Sequence, residues 1–365
     1  MDVKISVIIP AFNVCGYFCK CLESIKDQTM REFEVIIIDD GSTDGTQIIA
    51  EEYAQKDQRF HVIHQENQGV SAARNHGITH AKGEFILFFD GDDFVEQDCL
   101  ENLYVIMTDE KVDILLYGYY RYEDNTIIQQ CYPMFSKTRY YGDEILEQVL
   151  PQFIGLSTHQ INQWMKGKEQ ALYVENPALW RAMLKREVIM EHNIRFQEQL
   201  RIGEDTIFIS EYLSYAKDCY VLQQCFYYLV TRETSAIYQY EKSPDSKLEG
   251  KLRLLEARNR LAKEIFPRRK YDISGDYQGT IIMSCIELAL LFAKKNKLES
   301  RTVRYQNWLS YCKREEVLAA VEGYHIRMKQ GLKSIPFILL KRRCYKSLFY
   351  CASILQLVHF QFHRN

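Results

Sequence analysis

Three short apolar runs near the N-terminus constrain this chain more than any other feature. Ile5-Ser6-Val7-Ile8-Ile9, Phe33 to Ile38 and Ile86 to Phe89 are rich in β-branched and aromatic residues and too short for helices. Runs without polar alternation are buried on both faces, as in parallel strands covered by helices. Between them lie amphipathic stripes: Phe18, Cys21, Leu22 and Ile25; then Ile49, Ala50, Tyr53 and Ala54; then Val70, Ala73, Arg74, Gly77 and Ala81. His61 to His64 adds a weaker strand between the second and third stripes. Strand and helix in alternation, joined by short polar loops, specify an α/β fold with a Rossmann-like parallel sheet.

The third apolar run stops at Asp90-Gly91-Asp92-Asp93. In open α/β sheets, ligands bind at the carboxyl ends of the strands. Carboxylates two apart in an extended segment can aim hard oxygens at one divalent cation, which in turn holds a diphosphate. Asp-Gly and Asp-Asp are also ordinary turn residues, so the stretch serves equally as a polar stop to a strand. The loops after the first two strands, Pro10-Ala11-Phe12-Asn13 and Asp39-Asp40-Gly41-Ser42-Thr43-Asp44-Gly45, lack the glycine patterns of dinucleotide-binding and P-loop folds. Phosphates would then be held through a metal and a cation. Arg74 is a candidate cation, because a guanidinium on an inward stripe needs an anion, either a ligand phosphate or a nearby aspartate. Gly203-Glu204-Asp205 heads the stripe Phe208, Ile209, Tyr212, Leu213 and Ala216, so Asp205 faces the body of the protein. An acid in a first helical turn also serves simply as a dipole partner.

The rest of the chain is patterned differently. Asp113 to Tyr122 and Thr126 to Tyr132 read as a hairpin around Glu123-Asp124-Asn125. Helices are expected over Ala178 to Glu191 and Glu204 to Ala216, a strand over Tyr220 to Val230, and helices alone from Ser246 onward. The expected division is 1–120, 121–244 and 245–365. The 365 residues carry a net charge of -3, which gives no reason to expect nucleic acid as a partner. The 11 cysteines contain no C-x-x-C pair, so neither a zinc site nor a disulfide framework is expected. No basic, apolar and small-residue leader opens the sequence, and a reduced, cytoplasmic protein is the expectation.

Four stretches in order carry a resemblance. Ile5 to Asn13, Asp39 to Asp44, Asn67-Gln68-Gly69-Val70-Ser71-Ala72-Ala73-Arg74-Asn75-His76-Gly77 and Phe88 to Asp93 together closely resemble glycosyltransferase family 2, whose fold is called GT-A. The likeness runs more loosely to about Ser235 and does not cover the C-terminal third. It implies a GT-A Rossmann-like sheet with a nucleotide-sugar half (1–120) and a mixed acceptor half (121–244), followed by an all-helical region (245–365). It implies an inverting, Mn²⁺- or Mg²⁺-dependent transfer of a sugar from a nucleotide donor, UDP-linked by expectation, to a hydroxyl of a glycan or lipid-linked glycan, in surface polysaccharide assembly. In the donor site, the resemblance assigns Pro10, Ala11 and Asp40 to the base, Arg74 to the nucleotide or its phosphates, and Asp90 to the ribose. Gly91 leaves room for the sugar diphosphate, Asp92 takes the metal, and Arg232 and Ser235 close over the diphosphate. Asp205 becomes the catalytic base. Trp180 is assigned to the acceptor and is equally a core residue; Arg181 and Ala182 depart from the family pattern beside it. A sugar nucleotidyltransferase and a non-catalytic nucleotide-sugar-binding module are the alternatives. The first would favour a glycine-rich basic loop after the first strand, and the second would favour loss of Asp205.

Between Gly331 and Asn365 there is no acidic residue, while Lys333, Lys341, Arg342, Arg343, Lys346 and Arg364 stand among many apolar ones. The uncharged run from Ser347 to His363 is shorter than the roughly 20 residues a spanning helix needs. The tail, 331–365, is therefore expected either to lie on an anionic membrane surface, at the cytoplasmic face, or to pack on its own domain.

Overall fold

The structure is a computed structural model and describes residues 2–168, 172–231, 244–265, 273–294, 299–325 and 331–355. The chain divides into two compact units: residues 1–150 with 175–235, and residues 151–174 with 236–365.

The first unit is built on a ten-stranded mixed sheet. Strands β1 (Ile5–Ala11), β2 (Phe33–Asp39), β3 (Phe60–His64) and β4 (Phe85–Phe88) lie in the order β3-β2-β1-β4, all parallel. Apart from half-buried Pro10, every residue of β1, β2 and β4 is buried, which is why these segments carry no polar alternation. Helices α1 (Cys15–Lys26), α2 (Thr46–Lys56) and α3 (Val70–His80) are the crossovers. Helix α1 buries Phe18, Cys21, Leu22 and Ile25, the stripe its sequence presents. Helix α3 lies so close to β1 that a Cβ on Gly77 would stand 2.3 Å from Cγ2 of Ile8.

Beyond β4 the sheet turns mixed. Helix α4 (Cys99–Asp109) follows the two-residue β5 (Phe94–Val95), and then come β6 (Ile114–Glu123) and β7 (Thr126–Cys131). These two pair antiparallel around Asp124 and Asn125, whose φ angles of 48° and 59° suit the tight turn of a right-twisted hairpin. Strand β8 (Arg139–Tyr141) and the long β10 (Asp218–Val230) complete the sheet around β9 (Ala182–Lys185). Here the helix expected over Ala178 to Glu191 is corrected: Leu179–Arg181 form one 3₁₀ turn, β9 runs antiparallel between β4 and β6, and only Arg186–Glu191 is α-helical. Ala182, Met183 and Leu184 are fully covered, and an apolar run of that length fits a buried strand as well as a helix. Helix α5 (Glu204–Tyr215) then leads into β10.

The second unit is helical. Its helices are α6 (Pro244–Arg260), α7 (Ser274–Ala293), α8 (Arg301–Cys312), α9 (Glu315–Gly323), α10 (Ile335–Lys341) and α11 (Tyr345–Leu355), joined by the short helix Thr158–Met165. That last helix carries a capping box, in which Ser157 and Gln160 satisfy each other's backbone N–H groups. Residues 151–174, expected in the acceptor half, thus belong with the helices, and the expected cut at 120/121 falls inside β6. Helix α7 is long and apolar enough to cross a bilayer by length and composition, but 61% of that window is buried and forms the middle of this unit. The described part of the tail packs inward as well. Phe337, Leu340, Leu348, Phe349 and Ala352 are buried, with Phe349 against the rings of Tyr305 and Trp308. Those side chains belong to the unit's core rather than to a free apolar face; residues 356–365 lie outside the described residues.

Candidate active site

The carboxyl ends of β1, β2 and β4 set out three loops, and their own polar groups hold them in place. At the end of β1, Asn13 adopts a φ of 52° and accepts the Thr43 N–H through Oδ1 at 2.9 Å. Thr46 and Asp44 receive the N–H groups of Val14 and Cys15. The loop is therefore fastened to the one after β2, with Pro10 half-buried and Ala11 buried at its base. Asp39 ends β2, accepting from the Ser42 N–H and meeting Nδ1 of His64 at 2.8 Å; His64 also meets Glu51, and these carboxylates hold its imidazole above its usual range. Asp40 is buried, and its carboxylate receives the N–H groups of Gln68 and Gly69 and the side-chain amide of Gln65, each at 2.8 Å. The residue assigned to the nucleotide base thus already fixes the loop that leads into α3.

Arg74 stands on the buried face of α3, 4% exposed. Its Nη1 donates to Oδ1 of Asp205 at 2.7 Å and lies 3.4 Å from Oε1 of Glu204, and its Nη2 donates to Oδ1 of Asp90 at 3.1 Å. The guanidinium also sits 5.3 Å from the centre of the Phe196 ring. Three carboxylates thus surround this guanidinium.

Asp205 and Glu204 form the first turn of α5, which follows Gly203 at a φ of 82°. Acids are favoured at a helix start by the backbone dipole. Burial pushes the carboxyl of Asp205 above its ordinary range, while the Arg74 guanidinium pulls it back. Burial, with the neighbouring Asp205 charge, pushes Glu204 up to about 7. The Leu179 N–H points at Oδ2 of Asp205 from 3.4 Å. The segment carrying Leu179 is pinned by a buried ion pair: Nη1 of Arg181 donates to Oε2 of Glu175 at 2.6 Å, and Glu175 also accepts the Met134 N–H.

At the end of β4, the carboxylate oxygens of Asp90, Asp92 and Asp93 lie within 4.8 Å of one another. They differ in what else they do. Asp93 is buried and accepts from the Tyr227 hydroxyl and the Val230 N–H, both at 2.7 Å, which ties the loop to β10. Burial, reinforced by Asp90, pushes its carboxyl well above the usual range. Asp90 and Asp92 are half-buried. Gly91 is constrained by the protein itself, because a Cβ there would stand 3.2 Å from Val14 and 3.3 Å from Phe18.

Trp180 is placed in the core. It is 4% exposed, stacked on Tyr227 with ring centres 4.6 Å apart, and edge-on to Tyr119. The acceptor contact assigned to it finds no open ring face, and the core reading of this residue is the one observed. Arg232 and Ser235 lie outside the described residues. Glu204, Tyr227 and Phe196 complete the site without having been singled out. For Glu204 the signal was present, since two consecutive acids open the helix. For Tyr227 and Phe196 none exists in one sequence, because their partners are remote.

A parallel sheet extended by antiparallel strands, with acids at the end of β4 and at the start of α5, is the GT-A architecture. Residues 1–349 of TarS from S. aureus, crystallised with UDP-GlcNAc, superpose with a TM-score of 0.53 at 20% identity, covering 96% of this chain and 88% of that one. Residues 6–157 match the model of glycosyl transferase family 2. EpsH of Bacillus subtilis is 32% identical over 241 residues, 65% of this chain and 64% of EpsH. The cholesterol galactosyltransferase of Borreliella burgdorferi is 32% identical over 226 residues, 61% of this chain and 59% of that protein. The chain thus spans less than two thirds of either relative.

Proposed function

We propose that the chain transfers a sugar, with inversion, from a nucleotide donor to a hydroxyl of a glycan or lipid-linked glycan in surface polysaccharide assembly. The observation that carries this reading is that one guanidinium, Arg74, gathers Asp90 from the strand end and Asp205 from a helix start. The group at the leaving diphosphate and the group at the attacking hydroxyl are thereby neighbours. A UDP-sugar is the proposed donor, the class bound by TarS, and the cytoplasmic face of the membrane is the proposed place of work.

The donor set suits a hard divalent cation such as Mn²⁺ or Mg²⁺. Asp90 and Asp92, carboxylates on one turn, would hold it, with Asp93 beside them accepting from Tyr227 and Val230. When bound, it supplies Lewis-acid stabilisation of the diphosphate's charge. Asp205 accepts the proton of the acceptor hydroxyl as its oxygen attacks the anomeric carbon and the bond to the diphosphate oxygen breaks on the opposite side. The ion pair to Arg74 opposes the upward push of burial on Asp205 and so favours the carboxylate form that a base needs.

A panel of nucleotide sugars with Mn²⁺, read first by thermal stabilisation and then by donor hydrolysis, tests the reading. One donor class is expected to raise the melting temperature in a chelator-reversible way and to be turned over. Stabilisation by no nucleotide sugar would overturn the proposal. Stabilisation without turnover, with or without acceptor glycans, would favour the binding-module alternative.

A further inference from the structure

Both terminal nitrogens of Arg74 are already used. Nη1 is held by Asp205 and Glu204, Nη2 by Asp90, and the buried Nε has no hydrogen-bond partner among the described residues. At 4% exposure, the guanidinium offers no open fork to a diphosphate. A phosphate could reach it only by displacing a carboxylate, and a buried carboxylate left without its cation is costly. Its contact with Asp205, 2.7 Å, is the shortest of the three. The opposite oxygen of Asp205 faces the Leu179 N–H, so the carboxylate is gripped from both sides in one orientation.

We propose that Arg74 is a positioning residue: it orients the carboxylate of Asp205 for proton abstraction and ties the start of α5 to the end of β4, instead of serving as a ligand of the donor phosphates. The chain brings its proposed base into register with its strand-end acids through this one side chain. Fork geometry matters here, because an ammonium can replace one arm of the bridge and not both. The inference rests on the transferase reading, and its test separates the two.

The experiment is a double-mutant cycle on the full chain with Arg74→Gln, Asp205→Asn and both together, plus Arg74→Lys. In transfer assays, Arg74→Gln is expected to lower kcat at least about 100-fold, the scale for a lost transition-state contact. Affinity for the nucleoside diphosphate, measured by calorimetry, should stay within about threefold, the mark of a group that leaves ground-state binding alone. The double variant should be no slower than Asp205→Asn, and Arg74→Lys should recover part of the rate. Additive losses, or a collapse of nucleotide affinity with kcat retained, would overturn the proposal in favour of a phosphate ligand. The same cycle read in unfolding stability reports the Arg74–Asp205 coupling without any turnover. A parent chain that transfers nothing while that coupling persists would count against the transferase reading. Absence of the coupling would count against this one.

Discussion

Two acidic loops at the same edge of one sheet do opposite things. After β2, Asp39 and Asp40 are spent on backbone N–H groups, a histidine and a glutamine amide. After β4, Asp90 and Asp92 crowd against Asp93, and Asp90 shares a single guanidinium with Asp205 and Glu204. A carboxylate ringed by donors is a structural part, since its lone pairs are taken and its removal strands buried donors. Carboxylates gathered at one place repel one another, which favours an added cation or proton. The difference lies in the neighbours, not in the residue type, and under the proposed function it would divide the acids into those that build the site and those that act in it.

The sharpest way to break this comparison is at the acting end. Asp205→Asn is expected to lower transfer by about 10³–10⁴-fold, the upper range for a general base. Donor affinity should hardly change, because the lost interaction belongs to the transition state. Transfer at close to the parent rate would remove Asp205 from the role.

Asp92→Asn comes next, with an expected loss of about 10²–10³-fold in kcat, as for a charge-stabilising group. It should also abolish Mn²⁺-dependent stabilisation by donor, while the unfolding midpoint of the ligand-free protein stays within about 0.5 kcal/mol of the parent, as for a substitution outside the core. A large drop in stability would place Asp92 among the structural acids.

Asp40→Ala should show the reverse balance. It removes the acceptor of three hydrogen bonds and leaves the Gln68 and Gly69 amides unsatisfied, for a cost of about 2–3 kcal/mol in unfolding experiments. Stability unchanged beside a selective loss of nucleotide affinity would show that the ligand, and not the loop, is what Asp40 serves.

Much of the first unit was legible because burial on both faces leaves a pattern that does not depend on partners. β1, β2 and β4, the stripe of α1 and the inward face of α3 follow from local spacing alone. β9 was not, since Ala182 to Leu184 become a strand only because β4 and β6 lie on either side, and nothing local separates that run from a helix. The site divides in the same way. That Arg74 points inward is visible from the helical period, whereas its carboxylate from α5 comes from 131 residues away in sequence. The tail illustrates the limit of composition, for a basic and apolar stretch has the same sequence whether its apolar side meets lipid or, as with Leu348 and Phe349, its own protein.

Glu204 offers the finest test, because it lies between the two classes of acid. It touches Arg74 at 3.4 Å, more weakly than Asp205 does, and burial beside a second carboxylate raises its pKa to about 7. A carboxyl whose folded value exceeds its unfolded value, about 4.3, holds its proton more tightly when folded. Folding is therefore favoured by this group below the unfolded value, loses that advantage as pH climbs between the two values, and gains nothing further above the folded one. The full shift would correspond to about 3.5 kcal/mol; for a side chain coupled to its neighbours, about 1–2 kcal/mol is the expected size. Glu204→Gln keeps an oxygen facing Arg74 and removes the titration. Its stability relative to the parent should rise by about 1–2 kcal/mol between pH 5 and pH 8, the window in which the parent's remaining advantage is lost. Unfolding midpoints of both proteins at the two pH values decide the matter. If the variant is the less stable at pH 8, the Glu204 anion strengthens the grip on Arg74 more than its burial costs, and Glu204 joins the acids that build the site.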